Sequence, residues 1–328
     1  MKILWMACAL ALASACGKSE RQTIRIDGSS TVFPISQAIA EAYGAEHPAH
    51  FAIGVSGTGG GFQKFCRGEI AISGASRPIA ASERVACEER GVEFLELPVA
   101  YDGIAVVVHK SNDWVDHFTV AELARVWSPR GARRGLGKWS QIRAGWPDRE
   151  FHLFGPGVDS GTYDYFTKAI VGEEHTSRGD FTASENDHVL VQGIASDRAA
   201  LGFFGYAYYR QNASQLRLIP IDDGRADNGA GAIGPSFETI EDATYQPLTR
   251  PLFIYVSRSA AERADVARFL EFYLQASDAL ISDIGYVPLP DEARALVTER
   301  FSRRITGSVF KGGSEVGVTI ETMLAGKS

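Results

Sequence analysis

The chain is poor in the residues that most catalytic sites are built from. Its 7 histidines among 328 residues are scattered. None has the paired spacing that holds a zinc ion, so the sequence offers neither a metal site nor another resident cofactor. The Gly-x-Ser-x-Gly turn of serine hydrolases is missing. Positive charge is in deficit, with 33 Lys and Arg against 40 Asp and Glu, a net charge of -7. That balance argues against a general nucleic-acid binder. It leaves a small anionic ligand open, because the local field inside a cleft decides such binding. Long apolar runs are scarce too. Outside the first residues none approaches the length of a membrane span.

That first run deserves its own reading. In "MKILWMACALALASACGKSE", Lys2 precedes apolar residues from Ile3 to Ala13, and small residues then end at Cys16. The run is too short to span a bilayer and fits the apolar segment of a secretory signal. A cysteine directly after small residues is the point where a bacterial lipoprotein is cut and acylated. Residues 1–15 are therefore read as a signal peptide and 16–22 as a tether lipidated at Cys16. A plain signal peptide with an incidental cysteine is the alternative. The expected location is periplasmic or on the cell surface, held to the membrane by lipid only. Cys66 and Cys87 remain as an even pair in an exported chain. An oxidising compartment points to a disulfide between them, with two buried thiols as the other reading.

A chain 45% hydrophobic and 22% charged is ordinary for a globular protein. Single cores stop growing near ~250–300 residues, so two lobes are expected. Strand patterns alternate with helix patterns along the whole length. "TIRID" alternates, then Val32, Ile35, Ile39 and Tyr43 recur at helical spacing. Similar strand–turn–helix units follow at "HFAIGVSGTGGGFQKF" and "FHLFGPGVDSGTYDYF". "FLELPVAYDGIAVVVHKS" reads as two apolar runs interrupted at Asp102-Gly103. "FTVAELARVW" reads as a helix capped by Thr119, and "AAERADVARFLEFYLQAS" as an amphipathic helix. Such alternation means an α/β fold with a mainly parallel sheet, whose ligands bind at the carboxyl ends of the strands.

Three strand-to-helix turns share one composition: "GSST" at 28–31, "SGTGGG" at 56–61 and "DSGT" at 159–162. A helix start offers free backbone N–H groups and the positive end of its dipole. Hydroxyls add donors, and glycine lets the backbone come close. Each turn alone also fits an ordinary N-cap, with Ser30 or Thr31 capping the first helix. Three together, facing one cleft, fit a cradle for a small oxyanion. Arg77, just after "SGAS", is the basic residue near these turns and is expected to supply a two-pronged bond to the anion.

"IDGSSTVFPI", "VSGTGGGFQKFCRGEIAISGASRPI", "YDGIAVVV", "GPGVDSGTYDYFT", "SENDHVLVQGI" and "FKGGSEVGVTIETML" follow one another in an order that resembles the periplasmic phosphate-binding proteins of ABC importers. This is the PstS family, and in particular its SphX-like branch. The resemblance covers essentially all of the mature chain. It implies a two-lobed periplasmic-binding-protein fold of type II, with mixed, mainly parallel sheets and a hinge of two crossings. The crossings are expected near Tyr101–Val108 and Pro251–Ser257. Lobe one would hold residues 23–103 plus 255–328, and lobe two residues 104–254. Carried over, phosphate would meet Ser30, Thr31, Thr58, Ser160, Gly161 and Thr162, while Tyr163 and Phe166 pack beneath. The implied partner is an ABC permease, and the implied state a monomer.

Two positions depart from the family pattern. Arg77 stands where a ligand aspartate is usual, and Pro156 where a ligand arginine is usual. A carboxylate is still wanted, because phosphate keeps a proton near neutral pH and sulfate does not. A buried acceptor binds that proton and repels an unprotonated anion. Asp102 and Asp159 are the candidates, ahead of Asp27. Other readings stay open: a receptor for sulfate, molybdate, phosphonate or arsenate, a sensory or adhesion lipoprotein on the same fold, and a serine phosphatase or esterase using Ser160. The last lacks a recognisable histidine partner.

Overall fold

The structure is a computed structural model that describes residues 23–310, 312–317, 320 and 324. The signal peptide and the lipidated Cys16 tether lie outside the described residues. In chain order the strands are β1 (Ile24–Gly28), β2 (Phe51–Ile53), β3 (Ile72–Ala75), β4 (Phe94–His109), β5 (Phe118–Thr119), β6 (His152–Gly155), β7 (Thr182–Ala183), β8 (Ala200–Gly205), β9 (Leu216–Ile219), β10 (Ile221–Asp222) and β11 (Thr249–Ser257). The main sheet runs β2-β1-β3-β11-β4-β8-β6-β7, with β9 also on β4. β10 and β5 form a separate parallel pair. Helices intervene between the strands, giving the mixed α/β fold expected.

The sheet is mixed in an ordered way. β1, β2 and β3 are mutually parallel, as are β6, β7 and β8. The centre is antiparallel: β11 lies between β3 and β4, and β4 pairs with β8 and β9. β4 carries this design. The two apolar runs do not break at Asp102-Gly103 but form one strand of 16 residues. From Phe94 to Gly103 it pairs with β11, and from Ile104 it pairs with β8 and β9. One strand thus belongs to both halves of the sheet. Polar Asp102 is tolerated inside it because the opposite residue of β11 is Arg250. "LRLIPI", in contrast, splits at Pro220, which cannot donate to a ladder.

Burial follows the periodicities. Val266, Phe269, Leu270 and Tyr273 form the buried stripe of the Ala264–Leu274 helix. Thr119 caps the Val120–Trp127 helix, and Glu122 returns the bond to its N–H. Beside β3 and β11, Phe62, Phe65, Phe94, Phe253 and Tyr255 close a second cluster around the disulfide. Cys66 and Cys87 are joined there. A crosslink of this span contributes about 3 kcal/mol in the chain-entropy model. Phe166 stacks on Phe203 under the third turn, and Tyr163 stacks on Phe181. Both are packing residues, as expected.

Candidate functional site

The three turns do meet. The first follows β1, whose Gly28 is bonded to Gly74 through their strands. Ser29 anchors it: its N–H donates to Gly74 O at 2.9 Å, and its own carbonyl accepts from Val32 and Phe33. The Phe33–Glu46 helix therefore starts from backbone contacts, with Val32 at the cap position and no side-chain cap. Neither Ser30 nor Thr31 is spent on capping, contrary to expectation. Both stay buried with their hydroxyls turned to other partners. Thr31 Oγ1 lies 3.2 Å from Thr162 Oγ1, across the sheet's two halves. The second turn leads into the Gly57–Cys66 helix. Thr58 Oγ1 accepts from the Ser76 N–H at 3.2 Å and lies 3.3 Å from Ser76 Oγ. In the third, Ser160 does cap its helix, accepting from the Thr162 N–H at 3.1 Å.

Two glycines show how tightly the turns are pressed together. A side chain at Gly161 would sit 2.6 Å from Thr58 Oγ1 and 2.7 Å from Ser76 Oγ. Gly57 has φ of 76° and a side chain there would strike the Asp159 carbonyl at 2.5 Å. That carbonyl accepts from the Gly59 N–H at 2.9 Å. Six hydroxyl or backbone positions expected from the sequence, Ser30, Thr31, Thr58, Ser160, Gly161 and Thr162, thus occupy one buried region.

The centre of that region is a residue the sequence reading missed. Arg250 is 1% exposed. Its Nη2 donates to Thr162 Oγ1 at 2.8 Å, Asp102 Oδ2 at 3.0 Å and Thr31 Oγ1 at 3.3 Å. Its Nη1 donates to the Ser76 carbonyl at 3.2 Å. One guanidinium therefore touches the first turn, the third turn and the "SGAS" segment. A signal was present: "LTRPLFIYVS" sets an arginine in an otherwise apolar strand, where an unpaired charge is too costly to survive.

Arg77 has other partners. It is buried, and Glu83 grips it with two bonds of 2.7 and 2.8 Å. Its Nη1 also donates to Pro78 O at 3.0 Å, and its Nε to Asp164 Oδ2 at 2.5 Å. Its aliphatic stem lies against Gly161. The guanidinium expected to face an anion is thus already matched by two carboxylates.

The carboxylates sort themselves by burial. Asp102 is 2% exposed, and burial pushes its carboxyl above the usual range although Arg250 pulls it down. Asp187, at the start of the Asp187–Ser196 helix, was not singled out from sequence. Burial pushes it up to about 6, while the Ser30 hydroxyl and Arg250 oppose the shift. Among the described residues, Asp102 Oδ1, Asp187 Oδ2 and Arg250 Nε have no hydrogen-bond partner. Asp159 is exposed, and its main chain rather than its carboxylate joins the turns. Its N–H donates to Glu185 Oε1 at 3.2 Å, and burial pushes that Glu185 carboxyl up to about 7. Asp27 is occupied by Lys64 at 2.5 Å and by Ser56, the first residue of the second turn, at 2.8 Å. The open surface cleft lined by Lys138, Phe151, His152 and Arg178 shares no residue with this cluster.

Buried hydroxyls, one guanidinium and two carboxyls raised by burial, Asp102 and Asp187, thus lie together. Known proteins agree with the architecture. A family model described as the PBP superfamily domain matches residues 13–277. Protein SphX of Synechococcus elongatus is 46% identical over 93% of this chain and 89% of its own. The phosphate-binding protein PstS of Staphylococcus haemolyticus is 34% identical over 81% of each. The crystal structure of a possible phosphate binding protein from Planctomyces limnophilus aligns with a TM-score of 0.63 and 42% identity, covering 87% of this chain and 99% of that one. The chain belongs to the PBP superfamily and, within it, to the family of SphX and PstS.

Proposed function

We infer that this chain is an extracytoplasmic binding protein that captures inorganic phosphate between two lobes and hands it to an ABC permease, with no covalent step. One observation carries the reading: Arg250 gathers Thr31 of the first turn, Thr162 of the third and the Ser76 carbonyl of the "SGAS" segment into one buried cluster. The names of the relatives support the ligand, since PstS is a phosphate-binding protein. The ligand set is Ser30, Thr31, Thr58, Ser160, Gly161 and Thr162, with Arg250 rather than Arg77 as the positive charge. Lobe one takes residues 23–103 plus 255–328 and lobe two 104–254, hinged where β4 and β11 run side by side. Cys16 carries the lipid that holds the protein, as a monomer, at the membrane beside its permease.

Charge balance supports phosphate over sulfate. Arg250 is faced by two buried carboxylates, Asp102 and Asp187. A fully ionised dianion would meet uncompensated repulsion there, whereas phosphate brings a proton for a carboxylate to accept. Asp187 is the better acceptor, because the Asp102 carboxylate is bonded to Arg250. The test is equilibrium titration of the wild type and Asp187→Asn with phosphate and with sulfate. The wild type is expected to prefer phosphate by roughly 100-fold or more, about 2.8 kcal/mol, and Asp187→Asn to lose at least tenfold of that preference. Equal competition by sulfate in the wild type would overturn the reading.

A further inference from the structure

Arg77 is held almost wholly by its own half of the molecule. It follows β3, and the Ala81–Glu88 helix supplies Glu83, whose two oxygens take Nη1 and Nη2. Pro78 O takes Nη1 as well. The guanidinium carbon lies 5.6 Å from the centre of the buried Phe62 ring. These contacts fix the group whatever the other half does. One bond leaves the set: Nε to Asp164 Oδ2. Asp164 belongs to the Gly161–Phe166 helix after β6, in the half of the sheet beyond β4. It is 1% exposed, and its other oxygen lies 3.0 Å from His175 Nδ1. The same helix carries Gly161 and Thr162 in its first turn.

We propose that Arg77 and Asp164 form an interlobe latch: Glu83 presets the Arg77 guanidinium in lobe one, and its Nε captures Asp164 of lobe two when the lobes meet, seating Gly161 and Thr162 against the anion. Arg77 and Asp164 are positioning residues and touch no ligand. The inference rests on the two-lobe phosphate reading and deepens it. The chemistry is economical. Arg77 is already desolvated and oriented, so docking Asp164 orders little that was free. Asp164 loses its water on closing and needs a cation waiting for it, because a buried unpaired carboxylate is strongly unfavourable. The bond exists only in the joined state, so its free energy goes into holding the lobes together over the ligand. The Arg77 nitrogens are taken by Glu83, Asp164 and Pro78 O, whereas Arg250 touches the turn hydroxyls of Thr31 and Thr162 directly, so the ligand cluster is organised on Arg250.

The two roles available to Arg77 predict opposite signs. For a latch, Asp164→Asn weakens phosphate binding by about tenfold or more, within the ordinary range of coupling between sites. The loss appears as faster dissociation, read by stopped-flow release, with the association rate unchanged. For a ligand arginine, Asp164→Asn frees the guanidinium and leaves binding equal or tighter, which would overturn the proposal. Arg77→Gln combined with Asp164→Asn should weaken binding no more than the worse single change, whereas additive losses would contradict the latch. Glu83→Gln, which loosens the preset guanidinium without touching lobe two, should also speed release. The ligand-free melting temperature of Asp164→Asn should stay near that of the wild type, a result a merely structural ion pair would not give, whereas Glu83→Gln and Arg77→Gln break a pair inside lobe one and should lower it. A wild type that binds no phosphate would remove the functional reading instead. The latch is then judged by energy transfer between dyes on the two lobes, where Asp164→Asn must lower the joined fraction and an unchanged fraction would overturn it.

Discussion

Two buried arginines, each bonded to an aspartate, sit on either side of the same three turns and do different work. Arg250 and Asp102 face each other across β11 and β4, the two strands that run through the centre of the sheet. Their pairing is fixed by strand register, on the two hinge strands that the lobes share. Arg77 and Asp164 lie on separate halves, and their bond depends on those halves meeting. The first pair organises hydroxyl donors into a binding cluster, and the second closes the molecule over it. An ion pair's role therefore follows from which elements carry its partners more than from burial, which is nearly complete in both.

The comparison breaks first at Asp102. Asp102→Asn leaves Arg250 buried with amide and hydroxyl partners but no carboxylate bonded to it. We expect a loss of about 3–5 kcal/mol in ligand-free stability, measured by urea unfolding, because one partner of a buried pair has been removed. Asp164→Asn should lose far less in the same assay. Equal losses would mean that both pairs are fixed parts of the fold.

A smaller effect sharpens the cross-lobe side. The His175 ring, more than half exposed, faces Asp164, with Arg77 and Glu174 nearby. Its bond to Asp164 raises the His175 pKa, and burial opposes the rise. A raised histidine adds stability that is complete below its unfolded value of about 6.5 and is lost as pH rises through its folded value. Asp187 and Glu185 are raised acids, and their stability also falls with rising pH, so the wild-type slope alone does not isolate His175. The difference between wild type and His175→Gln does. That difference in melting temperature should favour the wild type at pH 5.5 and shrink toward pH 8.5. A constant difference would detach His175 from the pair.

Much of this was readable in advance, for reasons that particular residues make clear. The strand–turn–helix units announced themselves through periodicity and turn chemistry, which are local. The hydroxyl turns were legible for the same reason, and an even cysteine pair in an exported chain named its own disulfide. Arg250 was missed because its meaning is not local. "LTRPLF" looks like a strand start until Asp102, 148 residues earlier in the chain, is seen opposite it. β4 reads as two runs in the sequence because Asp102-Gly103 resembles a turn, and only its cross-strand partner Arg250 makes it one strand. Arg77 was visible as a charge near the turns, but its neutralisation by Glu83 and Asp164 needed the tertiary packing. Ser30 and Thr31 looked like caps. The cap was supplied by backbone contacts of Ser29, which no side-chain pattern records.

The claim that Arg250 organises the anion site is tested most directly by the phosphate dissociation constant of Arg250→Gln at pH 7.5, measured beside the wild type on protein shown to be folded by circular dichroism. Loss of a guanidinium that joins the first turn, the third turn and the "SGAS" segment should weaken phosphate by roughly 100-fold or more, about 2.8 kcal/mol. An affinity equal to that of the wild type would contradict the account.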